Sequence, residues 1–274
     1  MADVASKPPL YAEDAFADPV RWDRLSWSQL ADRQKAGPGL VVLPVGATEQ
    51  HGPALPTGTD NTIVTALSHY ASGVAGVPVL PTLSFGVSVG HTHRWPGTVS
   101  LLHETLALAV REMVGWLLAD GWARILLVNS HFGNDAALRI AVDRLRTDHL
   151  GELQIGLINT YRVSPAVWAD FTADADDLHA NRAETDLMLY LDPEACDLEL
   201  LRAGAADDDD RTAGTVFSYP VALTSTNGVT GKPSQATAKR GRALFLEMGN
   251  ALADLLEQAK TETPPLTFRT DPLT

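Results

Sequence analysis

The sequence predicts an α/β protein, a three-layer α/β/α sandwich with a mostly parallel central sheet. Short valine-rich apolar runs alternate along the chain with helical patterns of about ten to twenty residues, which is typical of a parallel sheet covered on both faces. The chain has 274 residues, enough to bury one large core. We therefore predict a single domain over residues 23–262, preceded by a flexible arm over 1–22 and followed by a tail over 263–274.

The predicted helices and strands follow one another in a regular order. A first helix over 24–37 has Ser26 or Ser28 to cap its start and Gly37 to end it. The apolar run over 39–47 is too short for a core helix and is predicted as a buried strand. The later elements are a helix over 60–73 opened by Asp60 or Asn61, a strand over 77–86, a helix over 100–121, a strand over 123–130, a helix over 134–151, a strand over 153–161, a helix over 181–192 that ends before Pro193, and a helix over 234–260.

Charge and composition exclude several functional classes. The formal net charge is −13, so the surface repels phosphate and anionic lipid, and we expect neither nucleic acid nor a membrane as a partner. Part of the excess is the run Asp207 to Asp210, which we interpret as a solvated part of an irregular segment over 203–234 that is long enough to cover a site. The single cysteine, Cys196, excludes an internal disulfide and any Cys-based zinc site. No signal peptide or membrane span is visible, which predicts a cytoplasmic protein.

Polar side chains crowd the end of the first predicted strand. The stretch VVLPVGATEQHGPALPTGTD places Glu49, His51 and Asp60 among glycines and prolines. If the strand continues through Glu49 and His51, its period of two puts both side chains on the same side. Carboxylates and imidazoles are ligands that zinc, manganese and iron accept. Taken alone, the cluster is more simply explained as a polar loop.

Two further clusters can supply partners for the first. The stretch ILLVNSHFGND ends a predicted strand near His131, and in open α/β sheets ligands bind beyond the carboxyl ends of the strands. Glu49, His51 and His131 can therefore converge at that edge, although a loop histidine with an ordinary hydrogen bond is the simpler alternative. The stretch DDLHANRAETDLML carries His179 and Glu184 around a helix start, where the helix dipole alone favours an acidic residue.

These stretches together resemble the creatininase family. PVGATEQHGPALPTGTD resembles the opening signature, VNSHFGND the second motif, HANRAET the third and GVTGKPSQATAKRG the C-terminal element, in this order over about residues 40–260. The resemblance implies a creatininase-like α/β/α fold and a metal-dependent amidohydrolase with two divalent metal ions per subunit, zinc first and manganese or iron as alternatives. It also implies a small-molecule amide substrate and a homo-oligomer, which is often a hexamer in this family.

The resemblance assigns roles to individual residues. The implied metal ligands are Glu49, His51, Asp60, His131 and Glu184. Asp60 would bridge the two ions, and Glu184 would also take part in catalysis. His179 matches a histidine assigned to proton transfer, a role that suits a side chain titrating near neutral pH.

The chain departs from the family at several positions. Creatinine-hydrolysing members carry tyrosine and glutamate directly after the second-motif histidine, where this chain has Phe132 and Gly133. One metal-binding carboxylate and one substrate-contacting hydroxyl are lost, so creatinine is not the expected substrate, and Glu184 or water would complete the site. In the third motif Asn181 replaces a glycine and Asp186 replaces a serine.

The substrate side is predicted from the stretch GVSVGHTHRWPGT, which resembles the family's substrate-side loop but holds one extra residue. Either His91 or His93 could therefore be the counterpart of the family histidine. The predicted substrate-binding residues are Ser88, His91, His93, Trp95, Phe132 and Asp177. A surface loop that merely carries histidines explains the first four equally well.

The expected function is hydrolysis of an amide, cyclic amide or formamide bond of a small molecule by a metal-bridging hydroxide. One alternative is a peptidase that trims a short modified peptide, as in the mycofactocin-maturation branch of the family. Another is a non-catalytic, metal-stabilised scaffold that binds a ligand. The segment over 154–178 is longer than in the peptidase branch, which favours the small substrate.

Overall fold

The computed structural model of the protein describes residues 16–266, and over this range it has three layers. A parallel sheet of three strands, in the order β1-β2-β3, lies between two sets of helices. The strands are β1 Leu40–Val45, β2 Arg124–Asn129 and β3 Gln154–Asn159. The predicted α/β/α sandwich is confirmed. Residues 1–15 and 267–274 lie outside the described range, so the bounds of the arm and the tail stay predictions.

The helices agree with the predicted order, and all the predicted ones except α2 are shorter than predicted. They are α1 Trp27–Ala36, α2 Thr59–Ala75, α3 His103–Ala119, α4 Asp135–Asp148, α5 Pro165–Phe171, α6 Arg182–Leu191, α7 Leu198–Arg202, α8 Val221–Thr224 and α9 Ala238–Ala259. Ser26 caps α1, accepting a hydrogen bond from Gln29 N, and Gly37 ends the helix, as predicted. The short helices α5, α7 and α8 were not predicted. Within the described range, every helix is too short or too polar to traverse a bilayer.

The sheet separates two apolar cores. Val42 of β1 packs with residues of α2, α6 and α9 on one face, while Val41 and Leu43 pack with α3 and α4 on the other. This alternation follows from the two-residue period of a strand. All residues of β1 are buried, as expected for a parallel strand covered on both faces.

The strand predicted over 77–86 is wrong as a continuous element. Only Val79 and Leu83 form isolated parallel bridges to β1. Pro81 lies between them and has no N–H group to donate, which interrupts the hydrogen-bond ladder. The segment still covers the free edge of β1, because Leu80 N donates to Val42 O at 2.9 Å.

Two local predictions are also wrong, for physical reasons that bear on the site. α2 begins at Thr59 with no side-chain cap, so Asp60 lies in the first turn and does not cap the helix. The acidic run is not simply solvated. Asp208 is buried and accepts hydrogen bonds from Ser225 Oγ and Thr226 N, so it anchors the irregular segment that was predicted to cover a site.

Helices α6 and α9 approach each other closely at Gly241. A Cβ atom on this residue would overlap the backbone carbonyl oxygen of Asp186. We predict that Gly241→Ala lowers the free energy of unfolding by about 1–3 kcal/mol, because the two helices must separate to admit the methyl group. The measurement is urea unfolding followed by circular dichroism.

The matched control is Gly115→Ala in α3, where an added Cβ has no neighbour within 4 Å. This variant should keep or gain stability, by up to about 1 kcal/mol, because alanine has the higher helix propensity. Equal stabilities of the two variants would contradict the close approach.

Candidate metal centre

The loops that follow β1 and β2 meet at the carboxyl edge of the sheet. β1 ends at Val45, so the strand does not continue through Glu49 and His51 as was supposed. The loop instead folds back on itself, with Glu49 N donating to Thr57 O at 3.0 Å. His131 follows the end of β2 directly after Ser130. The edge therefore gathers polar side chains from two loops, as the topology predicts.

Carboxylates and histidines converge at this edge, and all of them are buried. His131 Nδ1 lies 3.3 Å from Glu49 Oε1 and 3.3 Å from Asp60 Oδ2. His51 Nε2 lies 3.8 Å from Asp60 Oδ1 and 4.0 Å from Glu49 Oε1. His179 Nδ1 lies 3.4 Å from Glu49 Oε1. The structure thus brings together side chains that are up to 130 residues apart in the sequence.

The ligand atoms form groups with metal-ligand spacing. Within the described part of the chain, the groups whose ligand atoms all lie within 4.8 Å of one another are Glu49–Asp60–His131, His51–Asp60–Glu184 and Glu49–His91–His179. Asp60 belongs to the first two groups, and its two oxygens face different histidines. This is the arrangement of a carboxylate that can bridge two ions.

Unpaired buried atoms show that the residues fit a cation. Glu49 Oε2, His51 Nε2 and Asp60 Oδ2 are buried and have no hydrogen-bond partner among the described residues. Leaving a buried polar atom unpaired costs about 1–3 kcal/mol, and such atoms are rare in native proteins. Each of the three atoms is of a type that binds a divalent metal. Cations bound at the two groups that share Asp60 would satisfy all of them.

Backbone carbonyls orient three of the histidines. The pairs are His51 Nδ1 with Glu49 O at 3.1 Å, His131 Nε2 with Val87 O at 2.8 Å and His179 Nε2 with Gln50 O at 2.9 Å. Because a carbonyl oxygen only accepts, each of these nitrogens carries a hydrogen, and in the neutral ring the other nitrogen presents a lone pair to the centre. In almost all metal-binding histidines, the ring nitrogen that does not bind the metal has such a partner.

The start of α6 turns Glu184 towards the centre. Asn181 caps the helix, its Oδ1 accepting from the backbone N–H groups of Ala183 and Glu184. Glu184 Oε2 accepts from Ala180 N at 2.6 Å. Ala180 has φ 51°, in the left-handed region that non-glycine residues rarely adopt. This turn lies directly between His179 and α6, so both catalytic candidates depend on it.

Burial and opposing charges shift the pKa values of the cluster. Burial raises the pKa of Asp60 to about 7, despite the nearby His131 and His51. Burial also raises the pKa of Glu184. For His131 burial acts downward, but Glu49 and Asp60 outweigh it and raise the pKa to about 10. Without a metal, the centre therefore retains protons near neutral pH that a cation must displace.

The structure separates the two histidines of the substrate-side loop. His91 Nε2 lies 3.7 Å from Glu49 Oε2, and burial lowers the pKa of His91 to about 4. His93 is exposed and belongs to none of the ligand groups of the described residues. Trp95 is half-buried and does not line the cavity beside the centre, whereas Ser88 is buried behind His131. Of the two histidines, His91 faces the centre.

A cavity of about 220 Å³ opens beside Glu49. Phe132 and Asp177, which the sequence predicts to bind substrate, line it, and so do Tyr161 and the segment 219–221. Tyr161 was not predicted, although it lies at the end of a predicted strand. Ligands in open α/β sheets bind beyond the carboxyl ends of the strands, and this rule, which was applied to His131, also indicates Tyr161. The segment 219–221 belongs to the irregular stretch that was predicted to cover a site.

Comparison with known proteins identifies relatives over most of the chain. A sequence model of the creatininase family, described as creatinine amidohydrolase, matches residues 23–256. The mycofactocin precursor peptide peptidase of Mycolicibacterium smegmatis is 33% identical over 225 residues, which cover 80% of this chain and 85% of that protein.

Solved structures of similar fold are creatininases. A crystal structure of creatinine amidohydrolase has a TM-score of 0.77 and 27% sequence identity, and the match covers 89% of this chain and 99% of that one. A mutant creatininase described as the Zn-Zn type has a TM-score of 0.76 and 26% identity, with 90% of this chain and 100% of that chain covered.

We predict that the zinc affinity of the metal-free protein rises with pH between about 6 and 8. The raised pKa values of Asp60, about 7, and His131, about 10, mean that zinc must displace their protons. This competition weakens as the pH rises, so affinity should increase by up to about tenfold per pH unit for each proton released. Titration against a chelating dye at several pH values measures the slope.

The control for this titration is His93→Gln, which alters an exposed histidine outside the ligand groups. It should show the same slope as the natural protein. A zinc affinity that does not change with pH would mean that the ion binds elsewhere.

Proposed function

Because this chain belongs to the creatininase family, we propose that it hydrolyses a C–N bond of a small molecule, an amide, cyclic amide or formamide, with two divalent metal ions at the centre. The observation that carries the proposal is the position of Asp60. Its two oxygens are shared between two buried groups of ligands, which is what a two-ion site requires.

We assign one ion to Glu49, Asp60 and His131, and the other to His51, Asp60 and Glu184. Zinc is the proposed metal because mixed carboxylate and imidazole groups suit it, and because one relative of similar fold is described as the Zn-Zn type. Manganese and iron accept the same ligands and are the alternatives.

Bound divalent ions would supply Lewis acidity and lower the pKa of a water molecule at the centre. The chain itself supplies a proton carrier, His179, although burial lowers its pKa well below the near-neutral value that was expected from the sequence. His179 holds the hydrogen of Nε2 on Gln50 O, so Nδ1 is the atom that can accept a proton and deliver it to the departing nitrogen. Its Nδ1 lies 3.4 Å from Oε1 of Glu49, which belongs to the ligand group assigned to one of the two ions.

The cavity favours a small substrate. Its volume of about 220 Å³ lies below the range of about 300–1,000 Å³ that is usual for drug-sized ligands. Phe132 and Tyr161 form part of its wall, with ring centroids 6.0 Å apart. A few heavy atoms on either side of the scissile bond fit this space.

A specific observation supports a second candidate, a peptidase. The mycofactocin precursor peptide peptidase is more similar in sequence than the solved creatininases, at 33% identity. Under this alternative, only the terminal residue of a peptide would enter the cavity, and the remainder would lie outside it.

We predict that the purified protein holds about two zinc ions per chain and that Asp60→Asn holds less than one, because both ligand groups lose their shared member. Glu184→Gln should hold about one, since only one group loses a ligand. Elemental analysis after dialysis provides the count, with His93→Gln as the control that keeps the full complement. A single ion in the natural protein, or no difference between the two variants, would contradict the assignment.

We predict turnover of one or more small amides, lactams or formamides in a panel that also contains short peptides. Activity should disappear with a chelator and return with zinc. His179→Gln should lower kcat by about 10²- to 10⁴-fold at unchanged metal content, because it removes the proton carrier.

Two outcomes of this screen would overturn parts of the proposal. Hydrolysis of peptides without any small amide would establish the second candidate. Loss of metal from His179→Gln would make His179 a ligand and remove its role in proton transfer.

A further inference from the structure

Gln50 lies between Glu49 and His51, two candidate metal ligands. Its side chain is buried, although it belongs to none of the candidate ligand groups of the described residues. Both ends of its side-chain amide are bonded to backbone. Oε1 accepts from Gly52 N at 2.9 Å, and Nε2 donates to Gly228 O at 3.1 Å. Exchanging the oxygen and the nitrogen would place acceptor against acceptor and donor against donor. The orientation of the amide is therefore fixed.

This amide determines which nitrogen of His91 carries the hydrogen. Gln50 Nε2 lies 3.1 Å from His91 Nδ1. An amide nitrogen has two hydrogens, of which one goes to Gly228 O and the other to His91 Nδ1. Because Nδ1 accepts, the neutral ring carries its hydrogen on Nε2. That N–H group faces Glu49 Oε2, at 3.7 Å, beside the cavity.

His179 presents the opposite kind of atom to the centre. Its Nε2 is 2.9 Å from Gln50 O and 2.9 Å from Gln50 Nε2. The carbonyl oxygen only accepts, and both amide hydrogens of Gln50 are engaged elsewhere, so His179 Nε2 donates and Nδ1 keeps its lone pair. The two rings are in contact, with centroids 4.2 Å apart. One ring thus offers a donor to the centre and its neighbour offers an acceptor.

We propose that Gln50 is a positioning residue that holds His91 as a neutral hydrogen-bond donor, whose Nε2–H binds the carbonyl oxygen of the substrate and the oxyanion formed from it. A hydrogen on Nε2 also prevents His91 from ligating a metal, although Glu49, His91 and His179 have ligand spacing. The role of His91 as a donor to the substrate rests on the proposed amide hydrolysis. The position of the hydrogen on Nε2 of His91 does not depend on that function.

Nitrogen-15 NMR of the zinc-loaded protein with labelled histidine tests the placement of the hydrogen. Spectra of His91→Gln and His179→Gln assign the two rings by difference. We expect the hydrogen of both rings on Nε2. In Gln50→Glu, the carboxylate should draw the hydrogen of His91 to Nδ1, while His179 stays unchanged because its partner is a backbone carbonyl. A hydrogen on Nδ1 of His91 in the natural protein would overturn the inference.

Kinetics test the role of the donor, with folding of each variant verified by circular dichroism. His91→Leu should lower kcat about 10²- to 10³-fold, as expected for the loss of one oxyanion donor, with KM and metal content little changed. His91→Gln restores an N–H group and should recover part of the loss. Unchanged kcat or loss of metal in His91→Leu would overturn the donor role. If the natural protein hydrolyses no amide, the proposed function fails, and the NMR result still decides the state of His91.

Discussion

Three carboxylates buried against one another are the constraint on which the site depends. Glu49, Asp60 and Glu184 lie within one cluster, and buried like charges are tolerated only where cations or protons neutralise them. In the absence of a metal, burial first and the neighbouring carboxylates second raise the pKa of Asp60 and of Glu184, whereas the nearby histidines hold the pKa of Glu49 low. Two divalent ions with one hydroxide would balance the three carboxylates without requiring any of the histidines to be charged.

The fold reduces the cost of this burial. Asp60 lies in the first turn of α2 and Glu184 in the first turn of α6, so the amino-terminal ends of two helices face the carboxylates. Neutral histidines complete the centre, and backbone carbonyls determine which nitrogen each one presents. Metal binding, ring orientation and the proposed donor role of His91 are therefore consequences of the same loop geometry.

The sequence predicts the layers and the convergence of ligands because both follow from local patterns. Strand ends in a parallel sheet meet at one edge, so His131 could be placed near Glu49 from periodicity alone. The sequence does not distinguish His91 from His93, since one extra residue in that loop shifts the register. The role of Gln50 could not be predicted either, because it depends on Gly228, which is 178 residues away. The buried Asp208 shows the same limit, because its hydrogen bonds to a distant segment override the local expectation of a solvated run. Pro81 is a different case, since its missing N–H group is visible in the sequence and already argues against a continuous strand.

The departures from the family pattern preserve the centre and change its surroundings. At Gly133 a Cβ would overlap Val87 O, so the structure has no room for the carboxylate that creatinine-hydrolysing members carry there.

Asn181, in place of a glycine, caps α6 and donates to Phe171 O at 2.6 Å. Asp186, in place of a serine, is paired with Arg240 at 3.1 Å. Asn181 thus caps the helix that positions Glu184, and Asp186 links this helix to α9. Phe132 is exposed at the cavity, and its ring centroid lies 6.0 Å from that of Tyr161. Because Phe132 belongs to none of the candidate ligand groups of the described residues, its side chain can change without altering those groups.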